Sequence, residues 1–115
     1  SRPKGSEEAE EGCLSFPELY APVRRPKQIT VNAYNLKGEE LKAEVDGMLA
    51  RIVQHETDHL DGVQFVDRVS DAGRKSVQPV LDEFDINFHS RRQIGEIPDD
   101  AVIAERLAAW EKRYC

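Results

Sequence analysis

The sequence predicts an α+β fold in which antiparallel strands pack around a central helix, with a C-terminal helical extension. Three observations carry this expectation: strand-like alternation over residues 28–34 and 41–45, an apolar stripe at helical spacing over 47–60, and a second amphipathic stretch near the C-terminus. Residues 1–10 are polar, with Glu7, Glu8 and Glu10 crowded together, and read as a mobile acidic arm. Glu11 to Ser15 then introduces residues of a chemical kind, and Pro17 and Pro22 suit an irregular or edge-like extended stretch. Ile29, Val31 and Ala33 fall on one face of a half-buried strand, the segment around Gly38 supplies a turn, and residues 41–45 alternate again, so residues 29–45 form an antiparallel hairpin. Asp46 can cap the next element. From Gly47 to Leu60 the apolar residues Met48, Leu49, Ile52, Val53 and Leu60 make a helical stripe, and Gly62 is placed to end it. Residues 63–69 read as a short strand covering that helix, 71–84 as helix despite Pro79, and 85–97 as loop. Asp99 or Asp100 caps a last helix, on which Ile103, Leu107, Trp110 and Tyr114 recur.

Composition narrows the class. A chain of 115 residues is the size of one small domain. Leu, Ile, Val and Phe make up about a quarter of it, above the range that marks disorder, so a modest core is expected. No apolar run approaches the ~20 residues that a bilayer crossing needs, and nothing at the start reads as a secretory signal, so a soluble chain without a membrane partner is expected. With 22 acidic against 16 basic residues and a formal charge of -6, general nucleic-acid binding is not expected. The clusters Arg24, Arg25, Lys27 and Arg91, Arg92 read as solvated surface. Cys13 and Cys115 at opposite ends are a poor disulfide framework. A reducing compartment fits better and leaves Cys13 free as a thiolate.

The strongest chemical signal is His55-Glu56-Thr57-Asp58-His59 within the central helix. Residues four apart share a face, so His55 and His59 can offer ring nitrogens to one metal ion. Glu56, next to that face, can take a proton from a water at the metal's open position and deliver it to a leaving amine. A catalytic metal usually has a third protein ligand. A third histidine in the metzincin pattern is absent, since Gly62 is in place but Phe65 holds the histidine position. Glu83 is the well-placed glutamate downstream. Upstream, Cys13 is flanked by Gly12, which allows close backbone approach, and by Leu14, whose amide can point into a site.

Glu11-Gly12-Cys13-Leu14-Ser15 together with Gln54-His55-Glu56-Thr57-Asp58-His59-Leu60 resembles the second and third signature motifs of the peptide deformylase family, in the same order and with a hairpin between them. The resemblance runs from about Glu11 to Ser70, with Gly47-Met48-Leu49-Ala50-Arg51 leading into the helix and Asp61-Gly62-Val63 leaving it. It implies Cys13, His55 and His59 as metal ligands, the central helix as the metal-binding element, and Fe(II) as the native ion, with Ni(II) or Zn(II) as substitutes. Glu56 is then the acid-base residue and the Leu14 amide the donor that polarises the formyl oxygen. Glu11 and Arg25 correspond to a charged pair near the metal. Phe16, Tyr20 and Leu60 are expected to line the methionine pocket or its neighbours, Asp58 to support the helix, and His89 to be an ordinary loop histidine. The implied activity is hydrolysis of the N-formyl group from the amino-terminal methionine of newly made proteins, in a bacterial cytoplasm or an organelle.

The family's upstream glycine-rich motif, ending in a glutamine that helps hold the formyl oxygen, has no counterpart here. Loss of one oxyanion donor costs roughly two to three orders of magnitude in rate, and loss of the preceding sheet exposes the hairpin's inner face. Three explanations follow: residues 11–84 are the C-terminal portion of a cleaved or truncated catalytic domain, the chain completes its site by dimerisation, or it is a relic that binds metal without turnover. The first is preferred, and a complementing N-terminal segment is the expected partner. A non-catalytic metal-binding or interaction fragment is the alternative. In bacterial members a C-terminal helix can engage the ribosome, but the extension over 85–115 lies beyond the resemblance. Packing against its own domain or a second copy is the expectation for its stripe.

Overall fold

The computed structural model describes residues 4–115. The fold is α+β: a three-stranded antiparallel sheet in the order β1-β2-β3, with three helices following it in sequence. The strands are β1 (Lys4–Cys13), β2 (Phe16–Tyr34) and β3 (Glu40–Asp46), and the helices α1 (Gly47–Leu60), α2 (Asp71–Gln93) and α3 (Asp100–Tyr114). The chain divides into two compact units, Ser1–Val77 and Gln78–Cys115.

In the first unit, residues 4–10 are strand rather than the mobile arm expected from their acidity; residues 1–3 of that arm lie outside the described residues. The strand is anchored by buried arginines, with Arg51 Nη2 donating to Glu7 O at 2.7 Å and Arg25 and Arg51 holding Glu11, and charge complementarity across the ladder adds a smaller share. Glu7 pairs with Arg25 and Glu8 with Arg24, so the acidic run lies beside the basic cluster of β2, and opposite charges across an antiparallel pair are favourable. The 19 residues of β2 serve two partners in turn. The first part pairs with β1, the last with β3, and Gln28 is matched to both Lys4 and Asp46. Pro17, Pro22 and Pro26 all fall where only one side of β2 carries a neighbouring strand, which is where a residue without a backbone N–H can sit.

The β2–β3 hairpin has the expected register, with Ile29 opposite Val45 and Val31 opposite Ala43. Its turn is closed by the Asn35 side chain, whose Oδ1 accepts from the amides of Lys37 and Glu39 at 2.9 and 3.0 Å. Gly38 supplies the left-handed backbone there, at φ 79°. The β1–β2 connection is tighter, with Leu14 and Ser15 as its two turn residues. The ladder jumps from Gly12 opposite Tyr20 to Cys13 opposite Phe16. The three unmatched residues of β2 include Glu18 at φ 62°, a left-handed conformation that a residue with a side chain adopts at a cost.

Helix α1 spans the predicted residues. Asp46 occupies its N-cap position without a side-chain capping bond, and Gly62 at φ 73° follows its end. The face it buries differs from expectation. Met48, Leu49, Ile52 and Leu60 are exposed, whereas Ala50, Arg51 and Asp58 are buried. The sheet offers this helix a small apolar strip from β2, Leu19, Ala21 and Val23, continued by the guanidinium of Arg25, so the helix turns its polar side toward that charge. Residues 63–69 are not a strand: Phe65–Arg68 form a 3₁₀ turn, and Val69 alone bridges to Val23. A reciprocal capping box between Gln64 and Asp67 closes it. Consecutive Phe65 and Val66 are both buried, which the alternation of a half-buried strand would not allow.

In the second unit, α2 continues through residues 85–93, expected as loop. Pairs one turn apart hold this part: Asp85 with His89 at 3.3 Å, and the Arg92 guanidinium over the Phe88 ring at 4.5 Å. Pro79 lies inside the helix without ending it. Gly95 at φ 84° turns the chain, Arg92 donates to Pro98 O at 3.1 Å, and Asp99 caps α3 by accepting from the Val102 amide at 2.9 Å. Of the α3 stripe, Ile103 is half-buried, while Leu107, Trp110 and Tyr114 are exposed in the single chain.

Candidate metal centre

The end of β1 and the C-terminal half of α1 meet at one point. Cys13, His55 and His59 each bring one ligand atom there, and these atoms lie within 4.8 Å of one another. Cys13 Sγ is 3.6 Å from His59 Nε2. Two ligands on a tetrahedral ion, with metal–sulfur and metal–nitrogen bonds of about 2.3 and 2.0 Å, stand about 3.6 Å apart, so the donor set fits a single ion. Glu83, the alternative glutamate, lies on α2 in the other unit.

Burial of His55 is moderate, and its ring stacks on the buried Phe65 ring with centroids 6.2 Å apart and planes at 22°. Its Nδ1 lies 3.1 Å from Glu11 Oε1. Burial alone would raise the Glu11 pKa, but hydrogen bonds from Arg25, His55 and Arg51 together hold it below its ordinary value. An ionised carboxylate only accepts, so this contact favours a proton on His55 Nδ1 and leaves Nε2 to face a metal ion. In the metal-free chain burial would lower the His55 pKa, but Glu11 and Cys13 outweigh it and raise it above its ordinary value. The Cys13 thiol is held down to about 7: burial opposes the shift, and the Ser15 amide and hydroxyl and the two histidines outweigh it. A thiolate is the form that binds metal.

Glu11 and Arg25, expected as a charged pair, belong to a larger buried network. Arg25 Nε and Nη2 donate to the two Glu11 oxygens at 2.6 and 2.9 Å, and its Nη1 donates to Asp58 Oδ2 at 2.9 Å. Asp58 also receives Arg68 Nε and Nη2 at 2.6 and 2.8 Å. Arg51 Nη1 donates to Glu11 Oε2 at 2.5 Å and to Val23 O at 2.8 Å, while its Nη2 reaches Glu7 O at 2.7 Å. Arg51 and Arg68 carry no motif that marks them as site residues in the sequence. The available signal was Arg51 itself, a charge one turn before His55 and so on the same helical face.

Two recesses adjoin the ligand atoms and share Gly12. One, of about 200 Å³, lies between β1 and α1, bordered by Met48, Arg51, Ile52, His55 and Glu56. The other, of about 390 Å³, is bordered by Cys13, Leu14, Phe16, Leu19 and Tyr20. A Cβ on Gly12 would stand 2.6 Å from Tyr20 Cε1, so glycine allows that ring to lie against the strand. The Glu56 side chain is exposed, with Oε1 4.0 Å from His55 Nε2. Leu14 exposes its side chain in the turn directly after Cys13. Phe16 points toward the core, edge-on to Phe65 with centroids 5.9 Å apart. His89 sits on α2 in the second unit and pairs with Asp85.

The chain is similar to known proteins in both sequence and structure. The sequence profile of the family described as polypeptide deformylase matches residues 1–75, which includes the first ten residues that the motif resemblance left out. A peptide deformylase of Rhodopirellula baltica is 44% identical over 113 residues, 98% of this chain and 56% of that protein. That likeness runs on through α2 and α3. A crystal structure of peptide deformylase 1B from Arabidopsis thaliana superposes with a TM-score of 0.75 at 33% identity, over 87% of this chain and 54% of that one. The peptide deformylase of Thermotoga maritima superposes with a TM-score of 0.56 at 50% identity, over 57% and 45% of the two chains. The chain thus spans about half the length of the relatives it matches. It belongs to the polypeptide deformylase family.

Proposed function

We propose that this chain carries the metal-binding and acid-base part of a hydrolase that removes the N-formyl group from the amino-terminal methionine of new proteins. The observation that carries the proposal is the convergence of Cys13, His55 and His59 within 4.8 Å. These three would hold one divalent ion, Fe(II) natively, with Ni(II) or Zn(II) able to take its place. When bound, the ion supplies Lewis acidity, activating a water and polarising the formyl oxygen. Glu56, exposed beside His55, accepts the proton of the attacking water and returns it to the departing amine. The Leu14 amide, in the turn after Cys13, donates to the developing oxyanion. Formate and a free amino terminus are the products.

The recess bearing Met48 and Ile52 opens beside His55 and Glu56 and suits the substrate's methionine side chain. Phe16 and Tyr20, expected at the methionine pocket or its neighbours, border the second recess instead, on the Cys13 and Leu14 side, and the following peptide residues would lie there. Exposure of Met48, Leu49 and Ile52 on α1 favours a complementing segment or a second copy as the partner that finishes the pocket.

The test is formate release from a formyl-methionyl peptide by the Fe(II)- or Ni(II)-loaded protein under reducing conditions. Cys13→Ser and Glu56→Ala should each abolish most of the activity, and turnover insensitive to both would overturn the assignment. A second reading, a metal-binding fragment without turnover, is favoured by the share of its relatives that the chain spans. Full activity of the isolated 115 residues would eliminate it.

A further inference from the structure

We infer that Arg51 is a positioning residue for the metal centre: a strut between helix and sheet that sets the gap between the Cys13 thiolate and the two imidazoles. The inference rests on the metal reading above. The ligand set is split between two elements, since Cys13 ends β1 while His55 and His59 lie on α1. Something must hold that helix at a fixed height over that strand.

Arg51 bears on all the parts at once. It sits one turn before His55, buried at 9% exposure, and its fork reaches three acceptors on two strands. These are Glu7 O on β1 at 2.7 Å, Val23 O on β2 at 2.8 Å, and Glu11 Oε2 on β1 at 2.5 Å. Glu11 is two residues from Cys13 on the same strand, and its other oxygen, Oε1, lies in hydrogen-bond contact with His55 Nδ1 at 3.1 Å. One guanidinium thus fixes the carboxylate that orients His55, together with the two backbones on which the thiolate depends. Arg25 also grips Glu11, but it does so from β2, and its second carboxylate, Asp58, is on α1. Among the described residues, Arg51 is the cation that extends from the ligand-bearing helix to the ligand-bearing strand. A lysine there keeps the charge but lacks the planar fork for three acceptors.

The experiment uses the full chain with Arg51→Met and Arg51→Lys, and urea unfolding selects conditions in which each variant is folded. Co(II) is titrated in against a competing chelator while the thiolate-to-Co(II) charge-transfer band is followed. In the metal-free protein, the ring nitrogens of His55 are followed by ¹⁵N NMR. Wild type should show the charge-transfer band and a protonated Nδ1. Arg51→Met should bind Co(II) about 10–100-fold more weakly, the usual effect of losing a partner that orients a ligand. Its band should weaken, and His55 should show mixed tautomers. Arg51→Lys should fall between the two, and it decides the matter alone if Arg51→Met does not fold. Folded variants that bind Co(II) as wild type does, with the same band and ring signals, overturn the inference, because a merely structural arginine would lower the unfolding midpoint and leave both unchanged. Wild type without Co(II) binding would refute the metal reading instead, and the His55 ring signals then decide the role of Arg51.

Discussion

Replacing Arg25 by methionine tests whether the buried charge network stabilises the sheet-to-helix contact. Arg25 is 3% exposed and makes two bonds to Glu11 and one to Asp58, at 2.6, 2.9 and 2.9 Å. Removing one partner of a buried pair costs about 3–5 kcal/mol, because a desolvated charge is left uncompensated. Here neither carboxylate is stranded. Glu11 keeps Arg51 and His55, and Asp58 keeps Arg68. The loss should therefore fall at the low end of the range, about 3 kcal/mol. Arg24→Met is the control: its pair with Glu8 spans 3.4 Å between side chains 62% and 47% exposed, which is worth about 0–1 kcal/mol. Urea unfolding of metal-free protein at pH 7 measures both. Domains of this size are stable by only about 5–15 kcal/mol, so the Arg25 variant should lose a large share of its transition midpoint. A cost for Arg25→Met within 1 kcal/mol of Arg24→Met, as ~1 kcal/mol is the ceiling for exposed pairs, would refute the reasoning.

Glu56→Ala should lower formate release by about 10²–10⁴-fold with metal content unchanged by elemental analysis, and retained turnover would remove Glu56 from the mechanism. Glu11 and Asp58 both titrate below their ordinary values of 4.5 and 3.8, hydrogen bonds from Arg25 with His55 and Arg51, or with Arg68, outweighing burial. Depressed carboxylates contribute stability above those values and lose it as pH falls through the lower, folded ones. The urea midpoint should therefore drop below about pH 4.5, more steeply in wild type than in Arg25→Met. Glu18→Gly should raise stability by about 1 kcal/mol, because the φ of 62° costs a side-chain-bearing residue more than glycine; an unchanged midpoint would show that the bend carries no strain. Iron-loaded protein should lose activity in air faster than nickel-loaded protein, since a thiolate beside Fe(II) is open to oxidation. Equal lifetimes would exclude iron-linked oxidation as the cause.

The helix with its two histidines, the β2–β3 hairpin and the Asp99 cap were all legible because each is encoded locally, by periodicity or by one capping side chain. The network around Glu11 was not, because it depends on register. Nothing in the local pattern says that Glu7 and Glu8 will lie opposite Arg25 and Arg24, and without that pairing the acidic run reads as a solvated arm. The same gap explains the inverted helix. Apolar spacing located the stripe of α1 correctly but could not say that the neighbouring sheet would present Arg25 to the opposite face. Residues 85–93 failed differently, since their helix is held by Asp85–His89 and Phe88–Arg92 pairs that a hydropathy pattern does not register.

The 46-residue separation of Cys13 and His59 has a bearing on folding as well as on chemistry. An ion gripped by both would cross-link the chain as a disulfide does. Closing a ring of that size removes conformational entropy from the unfolded ensemble worth about 4 kcal/mol, comparable with the whole net stability of a small domain. The hydrophobic interior that the ring encloses is slight: Leu19, Ala21, Val23 and Ala50 are its buried apolar side chains. Chelation should then leave the buried arginines alone to hold the sheet to the helix, lowering the melting temperature even of protein whose Glu56 has been replaced and which turns over nothing.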